Sequence, residues 1–201
     1  MHEFAASAQR YRDIRFCPKC GCAYRPDDFD AEACVFVCGA CRFDFFQNPL
    51  PAAVTVLAHP DHADRVLMLR RRTEPHIGRW CLPGGFLTYG ETAEAAARRE
   101  LLEEAGFHAD IGAVLYVGLI DYSYRGRQLC VLELSFHATM RGALPARGHV
   151  TAEALEIDFV PVDTLIKAPD TLAFPEHVQV LQAFKARLPI SAPTLAGPSV
   201  T

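Results

Sequence analysis

Three glutamates near the middle of the chain have a spacing that suits metal-assisted chemistry. Glu100, Glu103 and Glu104 lie at positions i, i+3 and i+4, so on a helix they share one face. Like charges this close destabilise a helix unless a cation neutralises them, and Mg²⁺ and Mn²⁺ prefer oxygen ligands. The cluster therefore predicts a divalent-metal site able to split a pyrophosphate. A solvated acidic helix face is the alternative.

The flanking residues favour the helix that this cluster needs. Gly84 and Gly85 follow Pro83, which indicates a tight turn just before it. Thr92 is a residue type that caps helix starts, and the alanines after it are strong helix formers. Gly106 supplies a helix stop. We therefore predict a loop, a helix and a second loop that together present the carboxylates.

Two CxxC pairs in the N-terminal part predict a second metal site. The pairs are separated by 17 residues and consist of Cys17 with Cys20 and Cys38 with Cys41. This spacing falls in the range of four-cysteine zinc sites, which are tetrahedral, closed and structural. Two disulfides or four unliganded thiols are the alternatives.

Composition is typical of a cytoplasmic enzyme. The chain has 201 residues, half of them hydrophobic, and a net charge of −4, which argues against general binding of nucleic acid or membrane surfaces. Six basic residues between Arg10 and Asp44 are balanced by six acidic ones, so the cysteine region lacks the basic stripe of a nucleic-acid binder. No apolar run approaches the roughly 18 residues of a membrane span. The N-terminus also lacks the apolar stretch of a signal peptide.

Apolar stretches beyond the cysteines predict a mixed α and β order. Ala52–Ala58 and Val66–Leu69 are read as strands joined by a hairpin loop. Further strands are expected at Ala113–Ile120 and Leu129–Thr139, and a helix near Pro175–Arg187.

The central motif resembles the Nudix box at each of its defining positions, which are Gly85, Glu91, Arg99, Glu100, Leu101, Glu103, Glu104, Gly106 and Phe107. Nudix hydrolases cleave a phosphoanhydride in a nucleoside diphosphate linked to another group. The resemblance implies an α/β/α sandwich with a mixed sheet over residues 48–188. Before it we expect an N-terminal segment, 1–47, with a zinc ribbon at about 15–46, and after it a flexible tail, 189–201.

The resemblance also assigns roles to individual residues. The three box glutamates correspond to the ligands of a catalytic Mg²⁺ or Mn²⁺, and Gly84 to the residue whose carbonyl completes the metal shell. Arg99 corresponds to the arginine that orients neighbouring glutamates, and a surface salt bridge is its alternative. The general base stays open between a box glutamate and Glu153 on a late loop, where plain loop surface is an equal alternative.

Substrate contacts are predicted from the arginines that end the second strand. Arg70 and Arg72, with Arg71 between them, carry the charge to meet phosphates, unless they form a solvated strand end.

The ribbon and box together resemble the zinc-ribbon Nudix subgroup, which acts on NADH, FAD and ADP-ribose. The SQPWPFP-type motif of NADH pyrophosphatases is absent, and Glu153–Glu156 and Leu172–Phe174 look more like the FAD and ADP-ribose members. The expected substrate is therefore a small nucleotide, FAD or ADP-ribose, cleaved to AMP and a second phosphomonoester. Alternatives are an NADH pyrophosphatase, nucleoside triphosphate clean-up, RNA decapping, or a ligand-sensing regulator. A homodimer is compatible with the ribbon.

Overall fold

The structure is a computed structural model that describes residues 14–144 and 152–188. The predicted tail, 189–201, and the first 13 residues of the predicted N-terminal segment lie outside this range. The described chain divides into two compact units. One contains the residues up to Leu50 together with Asp121–Cys130, and the other contains Pro51–Ile120 and the residues from Val131 onward. Within these ranges, no helix has the length and apolar character needed to cross a membrane.

The N-terminal unit is built around a three-stranded antiparallel sheet. Its strands, in spatial order, are β1 (Phe29–Asp30), β2 (Val35–Val37) and β3 (Asp44–Phe46). Phe36 on the central strand is buried, and its ring lies 4.8 Å from that of Tyr24 and 4.6 Å from that of Phe29. This small aromatic core holds the short strands beside the cysteine pairs.

Beyond β3, the described residues form two further sheets and three α-helices. The strands are β4 (Leu50–Leu57), β5 (Arg65–Arg71), β6 (Trp80–Cys81), β7 (Gly84–Phe86), β8 (His108–Tyr124), β9 (Arg127–Arg141) and β10 (Ala154–Pro161). One sheet has the order β7-β4-β9-β8 and the other has the order β10-β5-β6. The α-helices are α1 (Ala93–Ala105), α2 (Val162–Lys167) and α3 (His177–Lys185).

Alternation along the strands separates the core into two layers. On β5, Leu67 and Leu69 pack in one cluster with Leu101 of α1. The intervening Val66 and Met68 pack in another cluster that contains residues of α2 and α3. Because successive strand side chains point to opposite faces, α1 lies on one side of β5 and the other two helices lie on the other side. The predicted α/β/α sandwich is confirmed.

The predicted limits of the box helix are also confirmed. Thr92 is the N-cap, and its hydroxyl accepts a hydrogen bond from Ala95 N at 3.2 Å. Gly106 ends the helix in the left-handed region, with φ of 73°, and its N–H bonds to carbonyls of the last turn. A residue with a side chain is disfavoured in that conformation, so the glycine fixes where the second loop begins.

The hairpin predicted between Ala52–Ala58 and Val66–Leu69 is wrong. β4 and β5 belong to different sheets, and one isolated bridge, Ala58 to Val66, joins their ends. The connecting loop is a turn in which His62 N donates to His59 O and Arg65 N to His62 O. Local turn signals correctly predicted that the chain reverses here. The two strands nevertheless pair with other segments, β4 with β7 and β9, and β5 with β6 and β10.

Candidate active site

Glycines in the loop before α1 let its carboxylates approach the backbone. Gly84 pairs with Val54 across β4 and β7, and a Cβ on Gly84 would lie 2.3 Å from Ala53 O. A Cβ on Gly85 would lie 2.5 Å from Glu100 Oε1. The first clash is with backbone, so the loop needs a glycine at position 84. The second is with the end of a side chain, so Gly85 is what allows the Glu100 carboxylate to lie against the loop.

The guanidinium group of Arg99 forms hydrogen bonds with three glutamates of the site. Arg99 binds Glu91 through two parallel hydrogen bonds of 2.9 Å each. Its Nη1 donates to Glu100 at 2.8 Å and to Glu103 at 3.2 Å, and its Nη2 donates to Phe86 O at 3.2 Å. Three carboxylates thus face one positive charge. The fork geometry of arginine suits this arrangement, because it fixes the planes of its partners.

Glu104 points away from Arg99 and toward the glycine loop. Its Oε2 accepts a hydrogen bond of 2.8 Å from Gly84 N. The carboxyl of Glu153 comes within hydrogen-bond reach of Glu104, although 49 positions separate the two residues in the sequence. The structure therefore brings the late-loop glutamate to the box glutamates, which the sequence analysis left open.

Burial and neighbouring negative charges make the carboxyls of Glu100 and Glu104 reluctant to ionise. Burial, followed by the charges of Glu100 and Glu153, raises the pKa of Glu104 to about 8, against the lowering effect of the Gly84 N–H. Burial also raises the pKa of Glu100, opposed by Arg99. Glu91 behaves oppositely, because hydrogen bonds from Arg99 and Thr88 lower its pKa to about 2.

The donor set fits a hard divalent cation. Glu100 is partly buried with 14 % of its side chain exposed, whereas Glu103 is 60 % exposed, so the cluster reaches from the loop to solvent. The side-chain donors are all carboxylate oxygens, and neither Glu104 nor Glu153 has a positively charged partner in the contacts above. A cation would relieve the repulsion that raises the pKa of Glu104. The chemistry of these residues thus agrees with the metal role that the sequence resemblance implied.

The raised pKa of Glu104 leads to a prediction about stability. The neutral form of Glu104 is favoured in the fold, so its contribution to stability is fully present below the unfolded pKa of 4.5. It is lost as pH rises through the folded value of about 8. We expect protein free of Mg²⁺ to lose stability, on the order of a few kcal/mol, across this window. Added Mg²⁺ should restore more stability at pH 8 than at pH 5.

Urea unfolding at several pH values, with zinc left in place, measures this effect. Glu104→Gln should lack this component of the pH dependence, whereas Glu94→Gln, on the exposed first turn of α1, should retain it. An identical pH profile in Glu104→Gln and wild type would contradict the prediction.

Arg70 and Arg72, the residues predicted to contact substrate, have protein partners in the structure. Arg70 donates to Gly78 O at 2.9 Å and pairs with Glu156 at 3.2 Å. The guanidinium of Arg72 donates to Ala154 O at 3.1 Å, next to Glu153. Arg72 thus braces the loop that carries Glu153. Contact of either arginine with substrate stays a prediction.

Arg71 lies on the opposite face of β5 from Arg70. Leu69, which shares its face, packs in the cluster with Leu101 of α1. The guanidinium of Arg71 lies 5.5 Å from the centroid of the Phe174 ring. Because strand side chains alternate, Arg71 lies on the α1 side of β5 and Arg70 lies on the other side. Residue type and spacing alone did not show this difference between the two arginines.

The four predicted zinc ligands converge in the N-terminal unit. The sulfurs of Cys17, Cys20, Cys38 and Cys41 all lie within 4.8 Å of one another. Cys17 Sγ is 3.7 Å from Cys41 Sγ, and Cys20 Sγ is 3.6 Å from Cys38 Sγ. Thiolates at 2.3 Å from a tetrahedral zinc are about 3.8 Å apart, whereas bonded sulfurs are about 2 Å apart. The cluster is compatible with zinc and consists of free cysteines.

The thiol pKa values agree with a site that needs a cation. Burial acts to raise the pKa of Cys17, but hydrogen bonds from the Cys20 and Lys19 backbone lower it to about 6. Burial and the neighbouring sulfurs raise the pKa of Cys41 to about 12. A cation among the sulfurs would favour the thiolate form of Cys41, which the fold alone disfavours.

Comparison with known proteins identifies the family. A model of the NUDIX domain matches residues 49–184, which is most of the chain. The chain belongs to the Nudix family, and as a Nudix hydrolase it acts on pyrophosphate bonds.

Relatives with named activities cover parts of the chain. An ADP-ribose pyrophosphatase from Methanocaldococcus jannaschii is 29 % identical over 67 % of this chain and 74 % of its own length. An NAD-capped RNA hydrolase NudC from Vibrio vulnificus is 23 % identical over 62 % of this chain, and the match spans 44 % of that protein. A mouse ADP-sugar pyrophosphatase is 26 % identical over 64 % of this chain and 60 % of its own length.

Solved structures support the same fold. A NUDIX hydrolase from Nitrosomonas europaea superposes with a TM-score of 0.65 and 24 % identity, covering 87 % of this chain and 92 % of its own. The NUDIX domain of Shewanella oneidensis NrtR, solved with ADP ribose, superposes with a TM-score of 0.54 and 23 % identity, covering 72 % and 91 %.

Proposed function

We propose that the protein hydrolyses the pyrophosphate of an adenosine diphosphate joined to another group, with ADP-ribose as the foremost candidate and FAD next. The observation that carries the proposal is the meeting of Glu100, Glu104 and Glu153 beside the Gly84–Gly85 loop. The names of the archaeal and mouse relatives support an ADP-linked sugar. The products are AMP and a second phosphomonoester.

Glu100, Glu103, Glu104 and the carbonyl of Gly84 are the proposed ligands of Mg²⁺ or Mn²⁺. When bound, the cation neutralises negative charge on the pyrophosphate oxygens. Arg99 positions the carboxylates, since it binds Glu100 and Glu103 directly. Arg99 is also braced through Glu91 to the loop at Thr88.

Glu153 is the proposed general base for the attacking water. It lies on an exposed loop, close to Glu104, and its backbone carbonyl accepts from Arg72 N at 3.0 Å. A base must reach the proton that it removes, and this loop position provides access to solvent on one side and to the carboxylate cluster on the other. Glu104 is the alternative base within the box.

For the cysteine cluster we propose one structural zinc. Four thiolates leave no open coordination position for a reacting group, so the zinc would stabilise the N-terminal unit and take no part in hydrolysis. Homodimer formation, a cytoplasmic location and the exclusion of nucleic acid as a partner stay predictions.

A substrate panel tests the proposed activity. We expect kcat/KM with ADP-ribose and FAD to exceed that with NADH under one Mg²⁺ concentration, because discrimination arises from the groups flanking a shared pyrophosphate. Chromatography should detect AMP with ribose 5-phosphate from ADP-ribose, and AMP with FMN from FAD.

The same panel separates the alternatives. NAD-capped RNA belongs in it because of the name of the NudC relatives. A clear preference for NADH or NAD-capped RNA would replace the substrate assignment. Release of inorganic pyrophosphate from nucleoside triphosphates alone would also overturn it, and would leave the family membership intact.

A further inference from the structure

The four cysteines proposed to bind zinc differ in how readily solvent reaches them. Cys17 and Cys38 are buried, with 2 % and 1 % of each residue exposed. Cys41 is partly exposed, and Cys20 is exposed. Each CxxC pair therefore contains one buried cysteine and one that solvent reaches. A reagent dissolved in water has its easiest access to Cys20.

Two short sulfur–sulfur distances run between the CxxC pairs rather than within them. Cys20 Sγ lies 3.6 Å from Cys38 Sγ, and Cys17 Sγ lies 3.7 Å from Cys41 Sγ. Each distance joins a more accessible sulfur to a buried one. Bonded sulfurs are about 2 Å apart, so Cys20 and Cys38 need to approach by about 1.5 Å to form a disulfide.

A bound cation would hold these sulfurs in their reactive form. A thiol that coordinates a metal is deprotonated, and the thiolate is the form that oxidants attack. Cysteines that respond to oxidants combine thiolate character, access to solvent and a second cysteine close by. With the cluster loaded, Cys20 has all three features, and Cys38 is the second cysteine.

Three cysteines outside the cluster each lack at least one of these features. Cys81 is buried, and burial raises the pKa of its thiol to about 12. Cys22 is exposed but lies outside the group of four sulfurs, so the cation does not ionise it. Cys34 Sγ donates to Ala31 O at 3.7 Å, which requires the protonated thiol. The features of an oxidation site thus meet at Cys20.

We propose that Cys20 is a modification site for peroxides and that Cys38 resolves the oxidised sulfur as a disulfide, with release of the zinc. The inference rests on the structural zinc proposed above. It adds to that proposal a second state of the N-terminal unit, which is oxidised and free of metal.

The two chemical steps balance in atoms and electrons. The Cys20 thiolate attacks one oxygen of hydrogen peroxide, so that an S–O bond forms, the O–O bond breaks and hydroxide leaves. The product is a sulfenic acid. The Cys38 thiolate then attacks the Cys20 sulfur, the S–S bond forms, the S–O bond breaks and a second hydroxide leaves. Two thiolates have together given two electrons to one peroxide.

Loss of the zinc follows from the loss of two ligands. Thiolates bind metal, whereas the sulfurs of a disulfide carry no charge. Cys17 and Cys41 then supply two of the four ligands that a structural zinc requires. The new disulfide spans 18 positions and closes a loop that contains β1 and β2. It therefore keeps a constraint on the small sheet after the metal has left, which makes the oxidation reversible.

Zinc release and disulfide mapping test the inference on the full-length wild type. Protein that was purified with a reductant and shown to contain zinc is moved to buffer without reductant and treated with hydrogen peroxide. A chromogenic chelator should report loss of the whole equivalent of zinc. Mass spectrometry of the half-reacted sample should find Cys20 joined to Cys38, and dimedone should trap a sulfenic acid on Cys20. Dithiothreitol with added zinc should restore the loaded protein.

Histidine variants separate the reacting sulfurs from the other ligands, because zinc also binds three cysteines with one histidine. Cys20→His removes the accessible thiolate at an exposed position and supplies a fourth ligand. Peroxide should release no zinc from it in the time that wild type loses half. Cys41→His keeps both reacting sulfurs, so it should lose its zinc and form the same disulfide. Cys22→Ser should lose its zinc at the wild-type rate.

The possible failures point to different conclusions. Zinc that stays bound in peroxide, a half-reacted sample in which Cys20 is joined to Cys17, or rapid release from Cys20→His would each overturn the oxidation and leave the structural zinc in place. If Cys20→His does not bind zinc, the disulfide map of wild type decides the question. Reduced wild type that never contained zinc would overturn the zinc assignment and this inference together.

Discussion

Replacing Glu104 by glutamine is expected to lower kcat by about 10²–10⁴-fold with ADP-ribose at saturating Mg²⁺, the scale of a lost acid-base or metal-binding group. The amide keeps the shape of the side chain and an oxygen for the Gly84 N–H bond, so the loop should keep its position. What is lost is the negative charge that we assign to the metal. Glu103→Gln should fall in the same range if its exposed carboxylate is also a ligand.

Matched variants make this experiment specific. Glu94→Gln removes the same charge from the same helix, at an exposed first-turn position, and should retain wild-type kcat. Glu153→Gln should lower kcat and flatten the acid limb of the pH–rate profile if Glu153 is the base. If both single variants, Glu103→Gln and Glu104→Gln, retained wild-type activity, the proposed catalytic role of these carboxylates would be wrong.

Loss of one zinc ligand is expected to have the largest effect on stability. Structural zinc contributes folding free energy on the order of 10 kcal/mol, and the N-terminal unit has a small core around Phe36. Cys38→Ser should therefore unfold the ribbon, seen as loss of its dispersed amide signals in NMR spectra. Elemental analysis of wild type purified without added metal should give one zinc per chain.

An exposed cysteine next to the first pair provides the control. Cys22 lies outside the cluster of four sulfurs, so Cys22→Ser should keep the zinc and the ribbon. Wild-type protein without zinc, in which mass spectrometry finds the four cysteines joined as disulfides, would contradict the assignment.

The sequence analysis correctly predicted those parts of the molecule whose structure depends on contacts between residues close together in the chain. Thr92 and Gly106 mark the ends of α1 because capping depends on residues within one turn. The cysteine cluster was predictable because each pair forms its own turn: Gly21 N donates to Cys17 O, and Arg42 N to Cys38 O. In both cases the functional groups are positioned by bonds that the motif itself contains.

Long-range pairings account for what sequence analysis did not predict. The strands β4 and β5 are neighbours in the chain but lie in different sheets, and periodicity carries no information about strand partners. Glu133 and His177 are in contact although 44 positions separate them in the sequence. Nothing in the sequence near either residue indicates this contact. The difference between Arg70 and Arg71 depends on which face of β5 packs against α1, which is fixed by the whole sandwich.

The hydrogen bonds around Arg99 bear on the entropy of ligand binding. Long acidic side chains lose on the order of 1–2 kcal/mol of rotamer freedom each when they are immobilised. Here Glu91, Glu100 and Glu103 are already restrained by one guanidinium. Their ordering is therefore completed during folding, and a ligand that arrives later does not have to supply it. A lysine at this position has three donors on a mobile ammonium group, so it would leave much of that ordering to the binding step.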